Sequence, residues 1–153
     1  KKISKQICIN ISADSNYRIW PIEKWVNLID LISRDDPSTK INVFSMNKDQ
    51  SKSKVLEKKF GNIIKKYTQF ESILDSTSII QKSKIFISSD TAMIHLSDAA
   101  NTPILGLFSG DNKNLDRYKP FWTTHKIIQS DSLSIENIDP EAVFLEYKKL
   151  VVN

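Results

Sequence analysis

The segment that decides the fold runs Lys-Ile-Phe-Ile-Ser-Ser-Asp-Thr-Ala-Met-Ile-His-Leu over residues 84–96. Its apolar first half predicts a strand over Lys84 to Ser88, and Asp90-Thr91 then opens a helix that continues to about Ala100. A strand that turns directly into a helix is half of a βαβ unit, and such units build parallel sheets. The segment therefore predicts an α/β protein with a helix N-terminus at the carboxyl edge of its sheet.

The same alternation of short apolar runs and helical patterns continues in both directions. Further strands are expected at Gln6 to Ile11, Lys40 to Ser45, Asn62 to Lys66, Ile104 to Phe108 and Lys126 to Gln129. Further helices are expected from Pro21, over Val55 to Phe60 with Gly61 as C-cap, along Phe70 to Ile80, and after Asp139-Pro140. A long polar loop is expected over Ser109 to Pro120. Residues 1–153 thus predict a single Rossmann-like domain with a mostly parallel sheet flanked by helices.

Composition places the chain among ordinary globular proteins. Of its 153 residues, 40% are hydrophobic and 26% charged, and no apolar run approaches the roughly 18 residues that span a bilayer. The chain starts without methionine, which indicates a fragment or a processed product. Scattered lysines give a net charge of +4, explained either by a solvated surface or by a phosphate-rich ligand or anionic membrane. Basic and aromatic residues do not interleave strongly, so no nucleic acid partner is expected.

Residue counts and missing motifs exclude several classes of protein. One cysteine, Cys8, cannot form an internal disulfide and is expected to be a small buried hydrophobe in a reducing, cytoplasmic setting. One cysteine and two histidines leave little for a zinc site, so no metal is expected. Only three glycines occur, without the glycine-rich signatures of dinucleotide dehydrogenases or P-loop NTPases. The nucleophile elbow of serine hydrolases is missing as well.

Ligands of open α/β sheets bind at the carboxyl ends of the strands, where the 84–96 segment turns into its helix. Free backbone N–H groups and the helix dipole there suit a diphosphate, although Ser89 or Asp90 could simply cap the helix. His95 lies one turn beyond Thr91 on the same face. It could reach a ligand, but a histidine on a mostly apolar helix is more often a satisfied core residue.

Two other loops at this edge contain candidate residues. In the loop that begins at Ser12, Arg18 could clamp phosphate oxygens with its planar guanidinium group, or it could be an ordinary surface arginine. Trp20 and Trp25 are expected to be packing anchors rather than ligand stackers. After the strand that ends at Phe108, Gly110 would let the backbone approach a ligand closely.

Taken together, these segments resemble glycosyltransferase family 9, the heptosyltransferases of lipopolysaccharide core assembly. The resemblance rests on three places in the right order. Arg18-Ile19-Trp20-Pro21 is similar to the family's basic residue followed by Trp-Pro. Residues 87–96 resemble its pattern of Ser, any residue, Asp-Thr-Gly, two residues and His. Residues 101–110 resemble its Gly-Thr-Pro strand and the loop that follows.

The resemblance implies the C-terminal half of a GT-B fold, in which two Rossmann-like domains face a cleft. It implies that this half holds a nucleotide-sugar, usually ADP-heptose, whereas the N-terminal half supplies the acceptor site and the catalytic base. By position it assigns donor binding to Arg18, Asp90, Thr91, the backbone of Ala92, His95, Ser45 and Asn47. The candidate residues Ser12 and Gly110 from the loops complete the predicted donor-binding set. Ser45 to Asn47 would lie beside the base or ribose.

The chain departs from the family pattern at three places. Ala92 replaces the usual glycine, which narrows the room for close backbone approach and could alter the sugar accepted. Asn101 replaces a common glycine and is the next-best residue for left-handed backbone. Ser109-Gly110-Asp111 stands where Gly-Pro-Thr is usual.

The reaction implied is transfer of a heptose from a nucleotide diphosphate to a lipopolysaccharide core or another lipid-linked saccharide acceptor. No cofactor or metal is expected, since no Asp-x-Asp motif occurs. No convincing catalytic base is present, so this fragment alone is expected to bind donor without turnover. Cytoplasmic location with peripheral contact to the inner face of the inner membrane is a further expectation. Two alternatives remain: a non-catalytic nucleotide-binding or interaction domain, and a GT-B transferase with another donor such as a UDP-sugar, for which Ser45 to Gln50 would select the base.

Overall fold

The computed structural model describes residues 5–152, which form one sheet with helices on both faces. The strands are β1 (Gln6–Asn10), β2 (Lys40–Phe44), β3 (Ile64–Tyr67), β4 (Phe86–Ser89), β5 (Ile104–Phe108) and β6 (His125–Gln129). The helices are α1 (Ile22–Asp35), α2 (Gln50–Phe60), α3 (Ile73–Gln81), α4 (Ala92–Ala99), α5 (Asn112–Tyr118) and α6 (Pro140–Val152). In this part of the chain, no helix has the length and apolar character needed to cross a membrane.

All six strands are parallel and lie in the order β3-β2-β1-β4-β5-β6. The chain starts in the middle of the sheet, builds outward through β2 and β3, and returns beside β1 with β4. This reversal puts the topological switch point between β1 and β4, where ligands of doubly wound sheets bind. The expected Rossmann-like, parallel α/β fold is confirmed.

The two faces of the sheet bury separate cores because side chains alternate along each strand. Ile7 and Ile9 point into the larger core with Trp25, whereas Cys8 points into the smaller core with Phe86. Burial raises the pKa of the Cys8 thiol well above its ordinary value. The expectation of a small buried hydrophobe at position 8 is therefore confirmed.

Trp20 and Trp25 join α1 to the C-terminal part of the chain. Their ring centroids are 4.9 Å apart in an edge-to-face arrangement, and both side chains are buried. Nε1 of Trp20 donates a hydrogen bond to the carbonyl oxygen of Ile138 at 3.0 Å, just before α6. The expectation that both are packing anchors is confirmed.

One local expectation was wrong. The predicted polar loop over Ser109 to Pro120 contains α5, whose first backbone N–H groups are capped by the side chain of Asp111. None of its residues is buried, so the segment lacks the apolar periodicity that would have revealed a helix. The expectation that Gly61 is the C-cap of α2 is confirmed, and its φ of −52° shows that this cap is right-handed.

The left-handed conformation expected at Asn101 is present. Asn101 follows the end of α4 and has a φ of 56°. Among the residues that the structure describes, it is the one non-glycine residue with a positive φ. Asparagine tolerates this conformation better than other residues with a side chain, which explains how it can replace a glycine. In the last turn of α4, the buried carboxylate of Asp98 accepts hydrogen bonds from three successive backbone N–H groups, those of residues 121–123.

Candidate functional site

A cavity of about 660 Å³ opens at the carboxyl ends of β1, β2 and β3, beside the start of α4. We call it the carboxyl-edge cavity. It occupies the switch-point crevice predicted by the strand order, and its volume lies within the range of about 300–1,000 Å³ that holds small molecules. Of the residues predicted to bind donor, the following line it: Ser12, Ser45, Thr91 and Ala92.

Asn10 holds the floor of the cavity together at the switch point. Its Nδ2 donates to Oγ of Ser88 at 3.2 Å and to Oγ1 of Thr91 at 3.3 Å, and its Oδ1 accepts from the backbone N–H of Ser12 at 3.2 Å. One buried amide thus ties the loop after β1 to the turn after β4. Asn10 was not among the predicted site residues. Its signal in the sequence was a polar residue at the end of an isoleucine-rich strand.

The N-terminus of α4 points at this cavity without a side-chain cap. Thr91 is the N-cap residue, and no side chain at the cap accepts from the first turn. The alternative that Ser89 or Asp90 merely caps this helix is therefore wrong. Ala92 and Met93 line the cavity at the first turn, where backbone N–H groups of a helix lack intrahelical partners. Free N–H groups combined with the helix dipole favour an anion at this place.

Ser12 and Ser45 line the cavity next to the carboxyl end of β2. Oγ of Ser12 donates to Oδ2 of Asp49 at 2.6 Å and accepts from the backbone N–H of Met46 at 2.8 Å, so it fixes the turn after β2. Ser45 is buried, and among the described residues its hydroxyl has no hydrogen-bond partner. Asn47 lies on an exposed turn and is not among the lining residues, so its contact with a base or ribose stays a prediction.

Arg18, Asp90 and Asn114 form a polar cluster next to the cavity, since Asp90 directly precedes Thr91. Nη2 of Arg18 lies 3.9 Å from Oδ2 of Asp90 and donates to Oδ1 of Asn114 at 3.5 Å. Nδ2 of Asn114 donates a short hydrogen bond to the same Asp90 oxygen. We call these three residues the Arg18 cluster. It joins the loop before α1, the start of α4 and the first turn of α5.

Burial and neighbouring charges act in opposite directions on the pKa of Asp90 in the Arg18 cluster. Burial raises the pKa of Asp90 above its ordinary value, although the hydrogen bond from Asn114 and the charges of Arg18 and His95 act in the opposite direction. Arg18 itself keeps 38% of its side chain exposed. A half-exposed guanidinium group held by a buried carboxylate is oriented in advance and can still bind phosphate oxygens.

His95 and Gly110, which were both predicted to bind donor, lie outside the carboxyl-edge cavity. His95 is exposed on α4, with its ring centroid 6.5 Å from that of Tyr118, so the interpretation as a core histidine is wrong. A Cβ on Gly110 would lie 2.8 Å from the carbonyl oxygen of Ser132 and 2.9 Å from that of Ser130. The lack of a side chain at Gly110 thus accommodates the protein's own backbone. Neither residue lines the cavity, and their contact with ligand stays a prediction.

The opposite wall of the cavity comes from a segment that sequence reasoning missed. Residues 68–73, which are the connection from β3 to α3 and the first residue of α3, line it together with Phe44 and Met46. The ring of Phe70 packs edge-on against Phe44, with centroids 4.8 Å apart, and stacks on Tyr67 at 5.8 Å. An aromatic wall with the polar side chains of Gln69 and Glu71 suits a flat heterocycle. Only the general rule that every carboxyl-end loop faces the site could have indicated it.

Within residues 5–152, no group of three or more histidine, cysteine, aspartate or glutamate side chains is arranged to hold a metal ion. Among the described residues, the charged groups bonded at this edge include Arg18 and two buried carboxylates, those of Asp49 and Asp90, beside amides, hydroxyls and a helix N-terminus.

The fold matches solved heptosyltransferase structures. Escherichia coli heptosyltransferase WaaC with ADP gives a TM-score of 0.84 at 16% identity, covering 96% of this chain and 44% of that one. A family 9 glycosyltransferase from Veillonella parvula gives 0.81 at 18% identity, covering 96% and 46%. The E. coli ADP-heptose lipopolysaccharide heptosyltransferase II gives 0.78 at 18% identity, covering 97% and 47%. The chain thus spans slightly less than half the length of these proteins.

Sequence comparison with curated proteins found no match. The model of glycosyltransferase family 9 (heptosyltransferase), however, matches residues 1–143, nearly the whole chain. The resemblance drawn from three short segments is therefore confirmed over residues 1–143. Together with the six-stranded parallel sheet and its switch-point cavity, this match establishes that the chain belongs to glycosyltransferase family 9.

Proposed function

We propose that residues 1–153 are the donor-binding domain of a glycosyltransferase that takes ADP-heptose, acting from the cytoplasm on a lipopolysaccharide core or related lipid-linked acceptor. The proposal rests mainly on the carboxyl-edge cavity, which lies between an uncapped helix N-terminus and the aromatic wall of residues 68–73. Relatives of similar fold include one solved with ADP, which supports an adenine nucleotide. The acceptor site and the catalytic base are proposed to belong to an N-terminal half.

The proposed pose follows the chemistry of the cavity walls. The nucleobase would lie against Phe70 and Met46, which offer apolar surface at the far end. The diphosphate would lie at the first turn of α4, within reach of backbone N–H groups. The Arg18 cluster adjoins that helix start, so Arg18 would lie beside the diphosphate and Asp90 beside the sugar.

In transfer, the acceptor hydroxyl oxygen bonds to the anomeric carbon of the sugar while the bond from that carbon to the diphosphate oxygen breaks. Negative charge then develops on the departing diphosphate. Arg18 and the helix N-terminus would stabilise that charge without rearrangement, since both are already oriented. The acceptor proton would pass to a base outside this domain.

Calorimetric titration of the chain with ADP, UDP and GDP tests the proposal. We expect ADP to bind most tightly. Replacing Arg18 by alanine should weaken ADP roughly 10- to 150-fold, because a hydrogen bond to a charged group contributes about 1.5–3 kcal/mol. Asp90→Asn should also weaken ADP, since Arg18 would lose the carboxylate that orients it. The weakening should shrink at high salt, which screens the guanidinium–phosphate attraction.

Arg34→Ala is the matched control for the loss of a guanidinium group. Arg34 is 77% exposed on α1, pairs with Asp30 four residues earlier in the same helix, and does not line the cavity. It should bind ADP as the unaltered chain does. Tighter binding of UDP than of ADP would redirect the proposal to a UDP-sugar. A folded sample that binds none of the three nucleotides would contradict it and favour an interaction domain.

A further inference from the structure

Two adjacent aromatic side chains stand exposed in the connection between α5 and β6. Phe121 is 81% exposed and Trp122 is 79% exposed, with their ring centroids 5.8 Å apart. Single exposed hydrophobic residues are common on protein surfaces, but a contiguous pair of large aromatic rings marks a place of interaction. We call residues 119–124 the aromatic loop.

The aromatic loop is held in place from beneath. The buried carboxylate of Asp98 accepts hydrogen bonds from the backbone N–H groups of Phe121, Trp122 and Thr123 at 2.8, 3.0 and 2.8 Å. Nδ1 of His125 lies 2.8 Å from the carbonyl oxygen of Thr123 and adds a further contact. The two rings are therefore displayed on an anchored backbone, and their exposure is a built feature of the fold.

Basic residues flank the rings in sequence, and the acidic residue nearest to them along the chain is Asp116. Lys126, which follows the rings, is already in an ion pair, with its Nζ 3.8 Å from Oε2 of Glu146. Arg117 and Lys119 are both exposed and immediately precede the rings. The loop thus combines amphipathic aromatic surface with a net positive flank.

The aromatic loop lies at the edge of the sheet opposite the carboxyl-edge cavity. It leads into the amino-terminal end of β6, which is an edge strand, whereas the cavity opens at the carboxyl ends of β1 to β3. α4 connects the two places, since Thr91 at its start lines the cavity and Asp98 in its last turn holds the loop. A surface bound at the loop would therefore leave the cavity open.

We propose that the aromatic loop docks the domain onto an anionic lipid surface, with Phe121 and Trp122 inserted among the headgroups. Tryptophan and phenylalanine favour this interface, and flanking lysine and arginine are attracted to anionic headgroups. A protein partner fits less well, because two side chains of roughly 150–250 Å² each fall short of the about 800 Å² per partner that a stable interface buries. This proposal does not depend on the donor assigned to the cavity.

Tryptophan fluorescence tests the docking directly. Trp20 and Trp25 are 2% and 1% exposed, so a change of environment on binding should come from Trp122. With vesicles of phosphatidylglycerol we expect a blue shift of the emission, protection from acrylamide quenching and co-sedimentation. Vesicles of phosphatidylcholine should give much weaker binding, since they lack the attraction for Arg117 and Lys119.

Variants separate insertion from charge attraction. Phe121→Ser with Trp122→Ser should abolish co-sedimentation, whereas Leu133→Ser, a change at a side chain that is 63% exposed elsewhere, should leave it unchanged. Trp122→Phe should retain binding and lose the fluorescence response. Replacing Lys119 by glutamine should weaken binding about fivefold, the effect of one basic residue near such a surface.

Three results would overturn the proposal. One is vesicle binding that leaves Trp122 emission unchanged. Another is equal binding by the double serine variant, with circular dichroism confirming that this variant is folded. The third is a blue shift that depends on protein concentration without lipid, which would assign the loop to contact between copies of the chain.

Discussion

Replacing Asp98 by alanine should loosen the whole corner of the domain that joins α4 to β6. The carboxylate is buried and accepts three backbone N–H groups within 3.0 Å. Of these donors, that of Thr123 belongs to a buried residue, whereas Phe121 and Trp122 are exposed and water can replace part of their loss. A hydrogen bond to a charged group contributes about 1.5–3 kcal/mol, and an orphaned buried donor costs about 1–3 kcal/mol. Counting the hydrogen bond from Thr123 in full and those from Phe121 and Trp122 at a reduced value gives a loss of about 3 kcal/mol in the free energy of unfolding.

The assay is urea and thermal unfolding followed by circular dichroism. A loss of about 3 kcal/mol in the free energy of unfolding corresponds to a Tm lower by roughly 6–12 °C for a chain of this size. Asp116→Ala is the matched control, since Asp116 is an exposed carboxylate on α5. It should change the free energy of unfolding by less than about 0.5 kcal/mol.

The dependence on pH provides the sharper check. Burial by itself would raise the pKa of Asp98, but the three backbone hydrogen bonds and the charge of His125 outweigh it and leave this pKa below its ordinary value. A carboxylate with a lowered folded-state pKa stabilises the protein above its unfolded pKa of about 3.9 and loses that contribution as pH falls through the folded value. The gap between wild type and Asp98→Ala should thus be full at pH 7 and narrow below about pH 4. A gap under about 1 kcal/mol at pH 7, or one independent of pH, would refute the reasoning.

Three further predictions concern packing. Trp20→Phe should lower the free energy of unfolding by about 1 kcal/mol more than Trp25→Phe in urea titrations, because Nε1 of Trp20 bonds Ile138 while that of Trp25 has no partner among the described residues. Cys8 is fully buried and should react with a thiol reagent such as Ellman's only after unfolding, at the same rate as the chain opens. Gly110→Ala should lower the Tm by several degrees, because its Cβ would meet two backbone carbonyl oxygens within 3.0 Å, and an unchanged Tm would contradict this.

Most of the sheet could be predicted because its strands carry their own signal. β1 and β5 are short apolar runs buried on both faces, and such runs between turn signals are typical of parallel strands. α5 could not be predicted in this way, since a helix with no buried residue shows no apolar period. Its one signal was Asp111, whose side chain caps the first turn and is typical of a helix start.

The candidate site was predictable where a single segment carries it. Thr91 and Ala92 lie at the cavity because the strand and helix that hold them are neighbours in sequence. Asn114 was missed because it meets Asp90 across 24 positions of the chain, through a helix that was not predicted. The wall of residues 68–73 was missed for a similar reason: its position depends on the register of β3 against β2, which no local pattern reveals.

The most direct test of the donor-domain proposal is to follow the backbone amides of the 17.6 kDa chain by heteronuclear NMR during titration with ADP. We expect the largest changes at residues 91–93 and 68–73, which line the carboxyl-edge cavity, with Arg18 affected beside them. Residues 119–124, at the opposite edge, should remain unchanged. Changes centred on any other surface, or none at saturating ADP in a folded sample, would contradict the proposal that this cavity binds the nucleotide donor.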